Sequence, residues 1–130
     1  MRVIIKSQQN YQTHIEEYKE EFECSIEFDE HVLIINFEKG SLQIEDNKLI
    51  YIRGENKIVI EPKKVNECDY VTEYGMFVLD IKGLSVRKNV KSEEELRNVE
   101  NAIEVASARY EILITGVEPY ENSIQIEIVR

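Results

Sequence analysis

The chain has 130 residues, 42% hydrophobic and 32% charged, with a formal net charge of −10. That length fits one domain, 1–130, with its own core, and the composition excludes a disordered chain. The acidity argues against nucleic acid and anionic membrane as partners, because both select a cationic surface.

Apolar and polar side chains alternate along most of the chain. Successive strand residues point to opposite faces, so this rhythm specifies sheet with one dry face and one wet face. A first strand is predicted at Arg2–Ser7. A polar connection, Gln8–Thr13, leads into a long strand, His14–Phe28, where Phe22, Cys24, Ile26 and Phe28 share one face. After the turn at Asp29-Glu30, its partner runs His31–Phe37. Short strands follow at Ser41–Ile44, Leu49–Arg53 and Lys57–Glu61, separated by turn residues in the manner of a meander.

Pro62 ends that run, since proline lacks a ladder donor. A weaker strand is predicted at Cys68–Thr72. Gly75 and Gly83 then interrupt the pattern before Met76–Lys82 and Leu84–Val90, marking bulges or sharp bends. Ser92 followed by Glu95 reads as a capping box, which predicts a short helical turn over Ser92–Val99 outside the barrel wall. Ala106, Ala108, Tyr110, Ile112 and Ile114 share one phase, so a long strand is expected over Ala102–Thr115. After the turn Gly116–Asn122, the last strand is Ser123–Val129. The expected core includes Phe22, Ile112, Ile114, Ile124 and Ile126. The fold class that follows is all-β: a single antiparallel β-barrel of about eight strands.

The segment Met1–Lys6 is too short for a signal peptide and leads straight into Ser7-Gln8-Gln9-Asn10. A cytoplasmic location is expected. Cys24 reads as a small core residue, and Cys68, between Glu67 and Asp69, as the more exposed one. No disulfide is expected in a reducing compartment.

Chemistry-bearing motifs are scarce. The two histidines, His14 and His31, have no Cys or second His at ligand spacing, so no metal site is expected. Phosphate-binding loops, nucleophile elbows and calcium loops are absent from the sequence. The glutamates before Cys24 read as a solvated strand face. Lys82, Arg87, Lys88 and Lys91 read as edge protection or as partners of neighbouring Glu, with an anionic partner as the alternative. No catalytic signature emerges, and neither an enzyme nor a cofactor is expected.

Several segments, taken in order, resemble one family. Thr72-Glu73-Tyr74-Gly75-Met76-Phe77-Val78-Leu79 resembles the Thr-x-Tyr-Gly segment of the YwiB-like family, small bacterial proteins of unknown function. Ile50–Gly54, Tyr110–Gly116 and Asn122–Ile128 resemble that family's Arg-containing turn and its last two strands. Lys91–Glu100 looks inserted, and the stretch between Asn36 and Leu49 is short for the family. The resemblance implies a closed calycin or lipocalin-like barrel and no established activity. Within these segments, Arg53, Tyr74 and Tyr110 are the candidate ligand-binding residues. A guanidinium suits a carboxylate or phosphate, and polar-tipped rings suit an apolar cavity. Their alternative role is structural, with Arg53 paired to a neighbouring Glu. The function that follows is binding of a small, partly apolar molecule in the barrel mouth, by a monomer or a homodimer. The alternative is a solid barrel acting as a protein-interaction or structural module.

Overall fold

The computed structural model describes residues 1–97 and 100–130. Ten strands run in chain order: β1 (Arg2–Asn10), β2 (Ile15–Asp29), β3 (Val32–Phe37), β4 (Gly40–Glu45), β5 (Lys48–Arg53), β6 (Asn56–Ile60), β7 (Val65–Thr72), β8 (Gly75–Lys88), β9 (Ile103–Leu113) and β10 (Glu121–Val129). One short helix, α1 (Glu94–Arg97), lies between β8 and β9. The strands form a single sheet in the order β6-β5-β4-β3-β2-β1-β10-β9-β8-β7. Sequential neighbours pair antiparallel within β1–β6 and within β7–β10. The two halves join where β1 meets β10, with Val3 opposite Ile128, Ile5 opposite Ile126 and Ser7 opposite Ile124. The result is a nearly closed antiparallel barrel.

Closure is incomplete at one seam. β6 and β7 are the two ends of the hydrogen-bonded order, yet they lie side by side. Beside them the Lys63 N–H donates to the Gly83 carbonyl at 3.1 Å, and the Gly83 N–H donates to the Lys64 carbonyl at 3.0 Å. Gly83 permits this approach, because a Cβ there would overlap the backbone of Glu61.

The barrel has ten strands rather than about eight. Each short run between Ser41 and Glu61 is a complete barrel strand. The expected break at Gly83 is a register shift inside one continuous strand, β8, which keeps pairing with β9 on either side of it. The predicted long strand before Thr115 is present as β9. The predicted helical turn Ser92–Val99 is represented by α1, while Val99 lies outside the described residues. The Glu95 carboxylate accepts the Lys91 N–H at 3.3 Å, so it reaches one residue beyond the expected Ser92 partner.

The core follows the inward phase. Val3, Leu33, Ile35, Leu42, Ile44, Leu49, Ile81, Ile126 and Ile128 are fully buried. Leu96 of α1 and Val90 are buried with them. The segment between β8 and β9 therefore covers one end of the barrel, and Leu96 faces a small surface cavity shared with Met1, Cys24 and Ile26. Two expectations about individual residues are corrected. Ile114 is half exposed, because β9 stops at Leu113 and the chain leaves the packed region there. Cys68 is buried, because it faces inward from β7 opposite Leu79, and the more accessible thiol is Cys24. Both cysteines are free.

One member of the basic group, Lys88, is taken up into the fold. Lys88 is only 5% exposed along its side chain, and its Nζ lies 3.3 Å from Asp46 Oδ1. The same ammonium donates to the His31 carbonyl. It thereby ties β8 to the β2–β3 and β4–β5 turns at the covered end.

Candidate functional site

At the opposite end of the barrel, the inward-facing series change character together. On β1 the buried Val3 and Ile5 give way to Ser7 and Gln9. On β2, reading towards its start, Phe22 gives way to Glu20 and Tyr18. On β5 Leu49 gives way to Tyr51 and Arg53. On β10 Ile128, Ile126 and Ile124 give way to Asn122. Strand register sets these residues side by side: Ser7 opposite Tyr18, Gln9 opposite Asn122, and Asn122 opposite Tyr110. This is the open mouth of the barrel, apolar below and hydrogen-bonding above.

Two adjoining cavities occupy the mouth. The inner one has a volume of about 380 Å³ and is bounded by Ser7, Glu20, Tyr51, Arg53, Tyr110 and the apolar Ile58, Ile60 and Ile124. The outer one, of about 750 Å³, lies against Tyr70, Phe77, Leu79, Ile112 and Ile114 on β7, β8 and the end of β9. Gln9, Ile58 and Tyr110 line both and mark the passage between them. Both volumes lie in the range of small-molecule sites.

The inner cavity is dominated by one ion pair. Arg53 Nη1 and Nη2 donate to Glu20 Oε1 and Oε2, each at 2.7 Å, in a two-pronged fork. Nη1 also donates to the Tyr51 hydroxyl at 3.1 Å. The guanidinium sits 5.2 Å from the centre of the Phe22 ring, which stacks on Phe37 at 5.0 Å. The hydrogen bonds from Arg53 hold the Glu20 carboxyl below its ordinary range, and Glu20 holds the Arg53 guanidinium above its own. Burial pushes the Tyr51 phenol up.

Tyr110 stands at the passage. Burial, reinforced by the nearby Tyr120 and Tyr51, pushes its phenol up to about 12. Among the described residues its hydroxyl has no side-chain hydrogen bond. Its rung neighbour Asn122 is 1% exposed, and its Oδ1 has no hydrogen-bond partner, although Nδ2 donates to the Tyr120 carbonyl at 3.3 Å. At the rim, the Tyr11 ring stacks on His14 at 4.8 Å and leans on Tyr120 at 4.6 Å. The Tyr11 hydroxyl donates to Gln9 Oε1 at 2.7 Å.

Of the three residues singled out in the sequence, the structure brings Arg53 and Tyr110 to one cavity. Arg53 is there as half of an ion pair with Glu20. Tyr74 stands apart, 86% exposed in the β7–β8 turn. The motif around it serves the turn. Thr72 Oγ1 donates to the Gly75 carbonyl and accepts the Tyr74 N–H, each at 3.1 Å. Tyr51, Gln9 and Asn122 were not singled out, and Glu20, read with the glutamates before Cys24 as part of a solvated strand face, instead faces inward onto Arg53. Their signal was the polar residue appearing in an otherwise apolar inward phase at the same end of several strands.

Among the described residues, no cluster of His, Cys, Asp and Glu is grouped to hold a metal ion. No family model matches the chain. No curated protein matches it in sequence. The crystal structure of the YwiB protein from Bacillus subtilis is similar to it in three dimensions, with a TM-score of 0.71 over 99% of this chain and 91% of that one, at 9% sequence identity. At that identity the likeness is one of fold, and the fold of this chain is a YwiB-like barrel.

Proposed function

We propose that this protein is a non-enzymatic, cytoplasmic, calycin-like barrel that binds a small, partly apolar molecule in its open mouth. The observation that carries this reading is the pair of adjoining cavities meeting at Tyr110, one walled by apolar side chains and one rich in hydrogen-bonding groups. An unpartnered buried acceptor, Asn122 Oδ1, lies on the same rung. Ligand sites combine an apolar wall with a few fixed polar groups in this way. The two free cysteines support a reducing compartment. A thermal-shift screen with fatty acids, tetrapyrroles and nucleotides tests the reading. A ligand at a hundredfold excess over its Kd stabilises the protein by about 2.7 kcal/mol. Failure of every class to shift the transition would remove the reading.

A second reading rests on a separate observation. Val71, Met76 and Val78 stand exposed on the outer face of the β7–β8 hairpin. A protein-interaction module would use such a surface. In that case Met76→Lys abolishes partner association and leaves small-molecule binding unchanged.

A further inference from the structure

We infer that the mouth takes a single-chain carboxylate amphiphile, and that Glu20 occupies the place on Arg53 that the ligand's carboxylate takes over. The inference rests on the mouth being a ligand site and specifies the chemistry of its occupant.

Three observations lead there. The Arg53 fork is already engaged by a carboxylate in the geometry a ligand carboxylate would use, with both distances at 2.7 Å. The pair is not locked in the core: the Glu20 side chain is 43% exposed and the Arg53 side chain 32%. Arg53 keeps a second anchor in the Tyr51 hydroxyl, so it stays oriented when Glu20 leaves.

Local charge points the same way. Lys39 lies 5.9 Å from the centre of the same Phe22 ring that carries Arg53, and its charge bears on the Glu20 carboxyl. Among the described residues Lys39 has no carboxylate within salt-bridge distance. Arg53 in the cavity wall and the exposed Lys39 beside the same ring are thus two cations next to one carboxylate, in a chain whose formal net charge is −10. Lys19, which also lines the cavity, is paired with Glu21. A second carboxylate completes the set, with Glu20 turning towards Lys39 and the ligand on Arg53. The outer cavity supplies the other half of an amphiphile's requirement. Tyr70, Phe77, Leu79, Ile112 and Ile114 form an apolar wall that leads outward from Tyr110. A carboxylate head at Arg53 and an alkyl chain passing Ile58 and Tyr110 would use both cavities.

The exchange has an unusual consequence. Glu20 competes with the ligand, so its neutral variant binds more tightly. The test is calorimetric titration of the full chain with dodecanoate and, as an uncharged probe of equal length, dodecan-1-ol. Dodecanoate is expected to bind wild type more tightly than dodecan-1-ol. Glu20→Gln is expected to strengthen dodecanoate binding by about tenfold and to leave dodecan-1-ol unchanged. Arg53→Gln should weaken dodecanoate binding by about tenfold or more. Tyr51→Phe, milder in its effect on packing, should weaken it less. If both probes bind equally and Glu20→Gln does not tighten dodecanoate, the carboxylate exchange is wrong while the ligand site stands. If neither probe binds and the thermal-shift screen is also empty, the ligand site falls and the exchange with it.

Discussion

Asn56 stands in for the strand that Val71 lacks. Its Oδ1 accepts the Val71 N–H at 2.7 Å, and its Nδ2 donates to the Val71 carbonyl at 3.4 Å. A side-chain amide carries the same donor and acceptor as a peptide group, so one residue of β6 closes a rung across the seam to β7. Elsewhere the seam depends on the backbone bonds around Gly83. Asn56→Ala should cost about 1 kcal/mol in stability, the usual net value of such bonds. Its sharper signature is local: the Val71 amide should exchange with solvent faster while its β8 neighbours keep their protection. Unchanged exchange at Val71 would show that the side chain does not hold the seam.

The lower part of the seam should be less forgiving. A Cβ at Gly83 would overlap the Glu61 carbonyl, and backbone cannot swing aside as a flexible side chain can. Gly83→Ala should therefore destabilise by about 1–3 kcal/mol or more in urea denaturation. Gly40→Ala should behave alike, since its added methyl would meet the Ile52 carbonyl across the β4–β5 pair. A neutral result at Gly83 would mean that β6 and β8 are not held this close in solution.

The covered end of the barrel depends on one leucine. Leu96 is 1% exposed although α1 has only four residues, too few to persist without packing. Leu96→Ala should cost about 2–5 kcal/mol. Ser92→Ala, at an exposed position whose expected partner Glu95 bonds to Lys91 instead, should cost less than about 1 kcal/mol. Comparable losses at the two positions would assign the stability of this segment to its cap rather than to its packing.

Most of the barrel wall was legible in the sequence because alternation is a local property. Phe22, Ile124 and Ile126 take the inward phase that their neighbours dictate. The long strand expected over Ala102–Thr115 was legible because Ala106, Ala108 and Tyr110 share one phase, and they line a wall shared with β8 and β10. Ends of strands were harder. Ile114 keeps the phase of Ile112, but burial there depends on what stands opposite. The candidate site was legible only in part. Arg53 and Glu20 are far apart in sequence, and nothing local in either predicts that β2 and β5 bring them together. Tyr74 is a related case: its motif has a physical cause in turn formation, and only the structure shows its ring exposed and outside the residues that line the two cavities.

Tyr110 offers the cleanest test of the passage between the two cavities. Its phenol is pushed from 10.0 up to about 12, chiefly because burial disfavours the phenolate. A folded-state value above the unfolded one means that the native protein holds this proton more tightly. The associated stability is fully present below pH 10 and is lost as pH rises towards 12. The whole shift corresponds to about 2.7 kcal/mol. Tyr51, whose phenol is also pushed up by burial, adds a loss of the same sign. Tyr110→Phe keeps the ring and removes the titrating group. Since its hydroxyl has no side-chain partner among the described residues, this variant should match wild type within about 0.5 kcal/mol at pH 7. Between pH 10 and 12 it should lose less stability than wild type, by up to the amount assigned to Tyr110. Tyr110→Ala should instead cost about 3–5 kcal/mol at pH 7, because it removes the ring that separates the cavities, and its gap to Tyr110→Phe should stay constant with pH while its gap to wild type narrows above pH 10. Denaturation of the three proteins from pH 7 to 12 distinguishes these effects. Parallel curves for wild type and Tyr110→Phe would show that the phenol titrates as it would in water, and that the passage is wetter than the structure indicates.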